Sequence, residues 1–369
     1  MKQNIIITSL SVFILLSVSF SDTSAQSALD QDSIIKKIAD LKEENKVKAL
    51  LAGVWLGEKE IVTIALGESM TDVPATTDMH FRIGGVSELF LGTLLMILAD
   101  EGKINLDDKI SGWLPDLPEA DKVTPGMLIK NTAGYKDYVL DSAFIDLAVT
   151  EPFRSFSHED LIAYSVKDGE LNFQPGTKQQ YSHTEFTILA DVITRATGKS
   201  MPELYEEYIF RPLGLDQTGY SINQELPSPV LHSFSSDRAV YEDATYWNPS
   251  WSGDSGPLYS TLNDLYRWSQ AFGKGKLLSA GSFKELVSSP GVTLNPDIYF
   301  ASGFAVSSGW YFQNPSFNGY SGAFGYNPSK DLTVIIYSTQ SEDRSSGARS
   351  FPMMRELIKM ISPDAVIKF

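Results

Sequence analysis

The sequence predicts an α+β fold: an antiparallel sheet flanked by helices, with an all-α insert. Three observations predict it. Strand-like alternation appears near the start, at residues 47–67, and returns from Ser302 to about Ser338. Between them, residues 157–213 carry mostly helical signals. Residues 86–99, finally, are apolar on every face at helical spacing, which marks a helix buried on all sides.

Composition bounds the function. With 369 residues, 43% hydrophobic and 21% charged, the chain can bury a full core. Its 30 Lys and Arg stand against 46 Asp and Glu, and this net charge of −16 argues against nucleic acid or an anionic membrane as main partner. The absence of cysteine excludes disulfide scaffolds, thiol catalysis and thiolate metal sites.

Taken in order, the chain opens with a sorting signal. Lys2 supplies a positive start, residues 5–20 an apolar run, and Thr23-Ser24-Ala25 a small-residue cleavage site before Gln26. Residues 1–25 are therefore expected to be removed, leaving a periplasmic or secreted protein with no membrane span. Residues 32–44 read as an amphipathic helix capped by Asp32, and the Ser33-Ile34-Ile35-Lys36 within it is a chance pattern on a charged helix. Residues 47–67 read as a hairpin turning at Gly57-Glu58-Lys59. The buried helix follows, with Gly102 placed to cap its C-terminus, and then a loop over residues 106–118. Ser157 caps a helix over 158–166, residues 184–197 are amphipathic, and 201–209 continue the helical run. Residues 302–312, 317–321 and 332–338 read as three further strands, and 350–361 as a closing helix with Pro352 in its first turn. The organisation expected is one unit, 26–369, with a sheet subdomain (26–115 and 250–369) and a mostly helical insert (116–249).

The chemistry should sit where the buried helix begins. Gly84 and Gly85 precede it, so unpaired N–H groups and the positive end of the helix dipole face the space ahead. The stretch FRIGGVSELF, the apolar helix and EGKINLDDKISGWLPDLP resemble the serine β-lactamase and penicillin-binding-protein superfamily, specifically its class C-like branch with D-Ala-D-Ala carboxypeptidases and esterases. Members of that branch typically read FRIGSxSK. The resemblance implies an acylated Ser and, one turn later, a Lys that handles its proton. Here those positions hold Gly85 and Glu88. Ser87, about 200° around the axis from Gly85, is expected to face the core.

Further segments extend the resemblance over nearly all of the mature chain. VTPGMLIKNTAGY resembles VTxxxLLxHTSGL, and GPLYSTLNDLYRWSQAF resembles GGLYSTAxDLARF. GTKQQYSHTEF resembles PGxxFxYSNxxY, so Tyr181 matches the tyrosine that assists proton transfer, and His183 replaces the Asn. FNGYSGAFGYNPSKDLTV resembles the strand whose Lys/His-Thr-Gly triplet binds a substrate carboxylate; here the triplet is Tyr320-Ser321-Gly322, without a cation. Gly253-Asp254-Ser255-Gly256-Pro257 copies a chymotrypsin-type signature without the β-barrel, histidine context or disulfides that signature needs. The four histidines, His80, His158, His183 and His232, are scattered, with no metal-ligand spacing, and no cofactor is implied.

No acylating residue is therefore expected, and the retained or degenerate positions Glu88, Tyr181, His183, Tyr320, Ser321 and Gly322 become candidates for binding. Two classes of function remain open. One is a non-acylating pseudoenzyme that keeps the cleft for a small molecule, peptide or partner. The other is a hydrolase of the carboxypeptidase, esterase or β-lactamase class, rebuilt on Glu88, Tyr181 and His183 with a bound water. The first needs fewer coordinated changes. A purely structural role would show as a cleft filled by Tyr320 or Phe324. With Glu88 expected as an anion at the helix N-terminus and paired with His183, the ligand should present an amine or neutral group rather than a carboxylate.

Overall fold

The structure, a computed structural model, describes residues 30–221, 223–292 and 297–368. The sorting signal lies outside the described residues. Helix α1 (Gln31–Asn45) precedes strands β1 (Ala49–Leu56), β2 (Lys59–Met70), β3 (Val73–Pro74) and β4 (Phe81–Arg82), and β4 leads into α2 (Ser87–Asp100). The helical middle holds α3 (Pro125–Ile129), α4 (Ser142–Thr150), α5 (His158–Val166), α6 (His183–Thr197), α7 (Met201–Tyr205) and α8 (Arg211–Leu213). Three two-residue strands follow: β5 (Gly219–Tyr220), β6 (Phe234–Ser235) and β7 (Glu242–Asp243). The chain returns through β8 (Leu258–Ser260), α9 (Leu262–Gly273) and α10 (Ala280–Leu286). It closes with β9 (Ile298–Phe300), β10 (Ala305–Ser307), β11 (Trp310–Gln313), β12 (Ser316–Phe317), β13 (Tyr320–Asn327), β14 (Leu332–Thr339) and α11 (Ser350–Ile361).

Among the described residues the main sheet has nine strands in the order β3-β2-β1-β14-β13-β11-β10-β9, with β12 on β13. All its pairings are antiparallel, and β1 joins β14 from Leu50↔Ser338 to Leu56↔Leu332, so the two ends of the chain build one sheet. The period of two divides each strand between two cores. Leu51, Trp55, Phe324, Ile335 and Tyr337 face α2 and α9. Leu50, Val54, Ala323, Val334 and Ile336 face α1 and α11.

Several local expectations shift. The cap of α1 is Asp30, whose carboxylate accepts from the Ser33 N–H at 3.2 Å, and Asp32 sits in the first turn instead. Residues 302–312 form a hairpin rather than one strand, because Ser308 and Gly309 both take left-handed φ (52° and 77°) between β10 and β11. Residues 317–321 likewise break at Asn318-Gly319, a left-handed pair that folds β12 back on β13.

The Gly253–Pro257 segment is structural. The Ser255 hydroxyl donates to the Ser252 carbonyl at 2.6 Å, and Asp254 is fully buried against His158 at 2.8 Å. His158 also meets Asp191 at 2.6 Å, while Tyr220 donates to Asp254 at 3.0 Å, so one cluster ties α5, α6 and β5 to this turn. Burial opposes the imidazolium, but Asp254 and Asp191 more than offset it and push His158 from 6.5 up to about 10. The folded state then holds the extra proton, so this stabilisation is complete below 6.5 and lost as pH rises through about 10. Urea unfolding of the wild type and His158→Gln should show a stability difference that shrinks across that window; a difference that grows with pH would contradict a charged His158.

Candidate functional site

Helix α2 is the floor of the site. Every residue from Ser87 to Leu98 is buried, and Phe90 stacks on Trp268 with ring centroids 3.8 Å apart. The backbone of Ser302 and Gly303 lies directly on this helix: a Cβ at Gly92 would stand 2.2 Å from the Ser302 carbonyl oxygen, and one at Gly303 (φ +91°) 2.1 Å from that of Glu88. Glycine at both positions lets the two backbones touch.

A single turn of 3₁₀ helix, Gly84–Val86, precedes α2. Gly85 is under no such constraint. The nearest atoms a Cβ there would meet are the side-chain ends of Gln313 at 3.4 Å and Glu88 at 3.5 Å, so a side chain at this position would make no backbone clash. Ser87 points into the core, where its hydroxyl accepts from the Leu258 N–H at 3.2 Å.

Glu88 is completely buried. The Tyr181 hydroxyl donates to its Oε1, and Gln313 Nε2 donates to its Oε2 at 2.7 Å while also donating to the Gly303 carbonyl at 3.1 Å. Burial pushes the Glu88 carboxyl well above its usual range; the hydrogen bonds from Tyr181 and Gln313 oppose this, and nearby Asp137 adds to it. Desolvation of a fully buried charge thus works against the anion expected from the helix dipole, whose own effect is about 0.3–1 kcal/mol. Burial of the hydroxyl and the neighbouring Glu88 also hold the Tyr181 phenol well above its ordinary value, although the residue as a whole is 39% exposed and lines the cleft.

Nor does Glu88 pair with His183. The His183 Nδ1 instead faces Asp137, at 3.0 and 3.2 Å from the two carboxylate oxygens, and its ring stands perpendicular to Tyr181 with centroids 5.0 Å apart. Gly85, Tyr181, His183, Phe300, Gln313 and Pro315 are among the residues lining a cleft of about 420 Å³, and among the described residues no lysine or arginine lines it.

The third motif lies elsewhere. Tyr320 is buried and donates to the Leu231 carbonyl at 2.6 Å, and Ser321 points to the opposite face of the sheet, where its hydroxyl accepts from the Ser350 N–H at 3.0 Å. Gly322 is covered, since a Cβ there would fall 2.6 Å from Pro315 Cγ. None of the three lines the cleft; β12 folds over the start of β13, and Asn314, Pro315 and Ser316 form that wall. Neither Tyr320 nor Phe324 fills it.

Asp137, Gln313 and Glu185 were not singled out from sequence. Glu185, fully buried on α6, accepts from the Ala133, Gly134 and Tyr135 N–H groups at 3.1, 2.8 and 3.1 Å, which holds the Thr-Ala-Gly-Tyr turn in place. Burial raises its carboxyl to about 8 against those three bonds. Among the described residues no group of histidines and carboxylates could hold a metal ion, and no helix is long and apolar enough to cross a membrane.

A Glu88 carboxyl whose folded value lies above 4.5 contributes stability that is full below that pH and lost as pH rises through the folded value. Glu88→Gln, a neutral isostere, should therefore gain in melting temperature relative to wild type as pH rises from acid to alkaline. Glu88→Leu, which strands the Tyr181 and Gln313 donors, should cost about 1–3 kcal/mol for each group left unpaired. A Glu88→Gln variant that loses ground as pH rises would mean the folded protein prefers the carboxylate.

Comparison with known proteins places this geometry in context. The chain is 24% identical over 352 residues to a putative penicillin-binding protein PbpX of Bacillus subtilis, covering 88% of this chain and 84% of that protein. It is 30% identical over 202 residues to a D-aminopeptidase of Gluconobacter oxydans, covering 53% of this chain but only 36% of the relative. In fold it is similar to a D-stereospecific amidohydrolase from Streptomyces sp., with a TM-score of 0.80, 22% identity, and 90% and 99% of the two chains covered. A penicillin-binding protein from Bacillus halodurans superposes with a TM-score of 0.74 at 22% identity, over 87% of this chain and 98% of that one. The model of the beta-lactamase family matches residues 34–356, so this chain belongs to the beta-lactamase family.

Proposed function

We propose that this protein is an exported, non-acylating member of its family, a pseudoenzyme for the serine chemistry, that binds an uncharged acyl or amide group of a small molecule or peptide in the cleft. The observation that carries the reading is the pair at the start of α2. Gly85 offers no nucleophile, and the Glu88 carboxyl is buried with both oxygens engaged by Tyr181 and Gln313. A two-stage acyl transfer cannot begin without the first covalent step. The cleft walls support the ligand class: Phe300 and Pro315 supply apolar surface, Gln313, Asn314 and Ser316 supply neutral hydrogen-bonding groups, and among the described residues no lysine or arginine lines it to hold a carboxylate. The earlier preference for an amine weakens with the loss of the Glu88 anion, and the neutral group remains. The names of the relatives, penicillin-binding protein, D-aminopeptidase and D-stereospecific amidohydrolase, agree with an amide or peptide ligand. Export rests on the tripartite start of the chain, with processing after Ala25.

Intact-mass spectrometry of the protein from its native host, before and after a reactive penicillin, tests both parts. The expected spectrum begins at Gln26 and gains no mass. An adduct mapping to the peptide of Ser87 or Tyr181 would overturn the non-acylating reading, and a chain retaining Met1–Ala25 on membranes would overturn export.

A further inference from the structure

We propose that Asp137 and His183 form a general-base pair that activates water against the carbonyl carbon of an ester or amide held in the cleft, giving direct hydrolysis without an acyl-enzyme. The proposal rests on the non-acylating reading and adds a reaction to it. Asp137 is nearly buried, with its side chain 6% exposed, and grips His183 Nδ1 through both oxygens, while the imidazole itself is 21% exposed and lines the cleft. Tyr181 and Tyr138 flank the ring, with centroids 5.0 and 6.1 Å away, and fix its rotamer. This grip selects the tautomer protonated on Nδ1 and leaves the lone pair of Nε2, which has no partner among the described residues, to accept a proton. Gly85 lines the same cleft and, lacking a side chain, leaves space for a carbonyl group at the N-terminal end of α2.

The step balances with water as the only co-reactant. Nε2 takes a proton from water as its oxygen bonds to the carbonyl carbon; the tetrahedral species collapses with cleavage of the bond to the alkoxide or amine, which takes the proton from Nε2. The products are a carboxylic acid and an alcohol or amine, and His183 returns to neutral. Asp137 acts throughout as a positioning residue, holding His183 Nδ1.

The test follows p-nitrophenyl acetate with the purified protein; with this leaving group the proton passes to solvent. Steady, burst-free release above the buffer rate is expected, with a normal solvent deuterium isotope effect. His183→Asn and His183→Gln should each lower it about 100-fold or more while leaving the melting temperature near wild type. Asp137→Asn should shift the rising limb of the pH–rate profile, and Asp137→Glu should restore part of the rate. Equal rates in the wild type and both His183 variants, or a wild-type rate equal to buffer, would overturn the base role. So would an acetyl group found on His183, since the imidazole would then be a nucleophile. A burst with an adduct on any other residue would instead defeat the non-acylating reading.

Discussion

A carboxyl group buried at the start of an all-buried helix, without a cation beside it, governs this site. Glu88 cannot leave the floor of the cleft, because α2 is packed on every side and the backbone of Gly303 lies against its carbonyl. Nor can it stay charged cheaply, because the groups that reach it are a phenol and a carboxamide, and Asp137 acts on it with the same sign of charge. The arrangement is stable as a neutral network, in which Tyr181 and Gln313 satisfy the group without charge. The polarity at the start of α2 follows from this one constraint.

The rest of the fold delivers the partners of that network from distant parts of the chain. Tyr181 stands 93 residues after Glu88, at the entrance to α6, and Gln313, which ends β11, lies 225 residues from Glu88 in sequence. The main sheet closes through β1 and β14, which fixes β13 and β11 over α2, and the Glu185 anchor on α6 holds the turn that leads to Asp137. The cleft is therefore bounded by elements that each have their own packing reason to be where they are. That independence accounts for a fold that keeps a TM-score of 0.80 to a structure only 22% identical.

Much of this was legible in the sequence, and the misses have physical causes. The all-buried helix, the hairpin of β1 and β2, α5 with its Ser157 cap and α11 follow from periodicity and capping residues that act locally. Gly85 and Glu88 could be singled out because the motif around them is contiguous in sequence. The Asn318-Gly319 turn was also written in the sequence, but an alternation read across it concealed the signal. By contrast, the Glu88 partner Gln313 and the His183 partner Asp137 carry no motif of their own, and only the tertiary fold brings them close. The triplet Tyr320-Ser321-Gly322 was misplaced because resemblance supplies a position along β13 but not the β12 cover that closes it off. Charge was misjudged at Glu88 because the helix dipole is local and readable, whereas complete burial is not.

The most direct measurement is infrared difference spectroscopy of the wild type against Glu88→Gln at neutral pH, in ordinary and heavy water. The account predicts a protonated-carboxyl carbonyl band, sensitive to deuterium, that disappears in the variant. A difference spectrum in which only carboxylate bands disappear would contradict a neutral Glu88 and, with it, the neutral network on which this reading of the site depends.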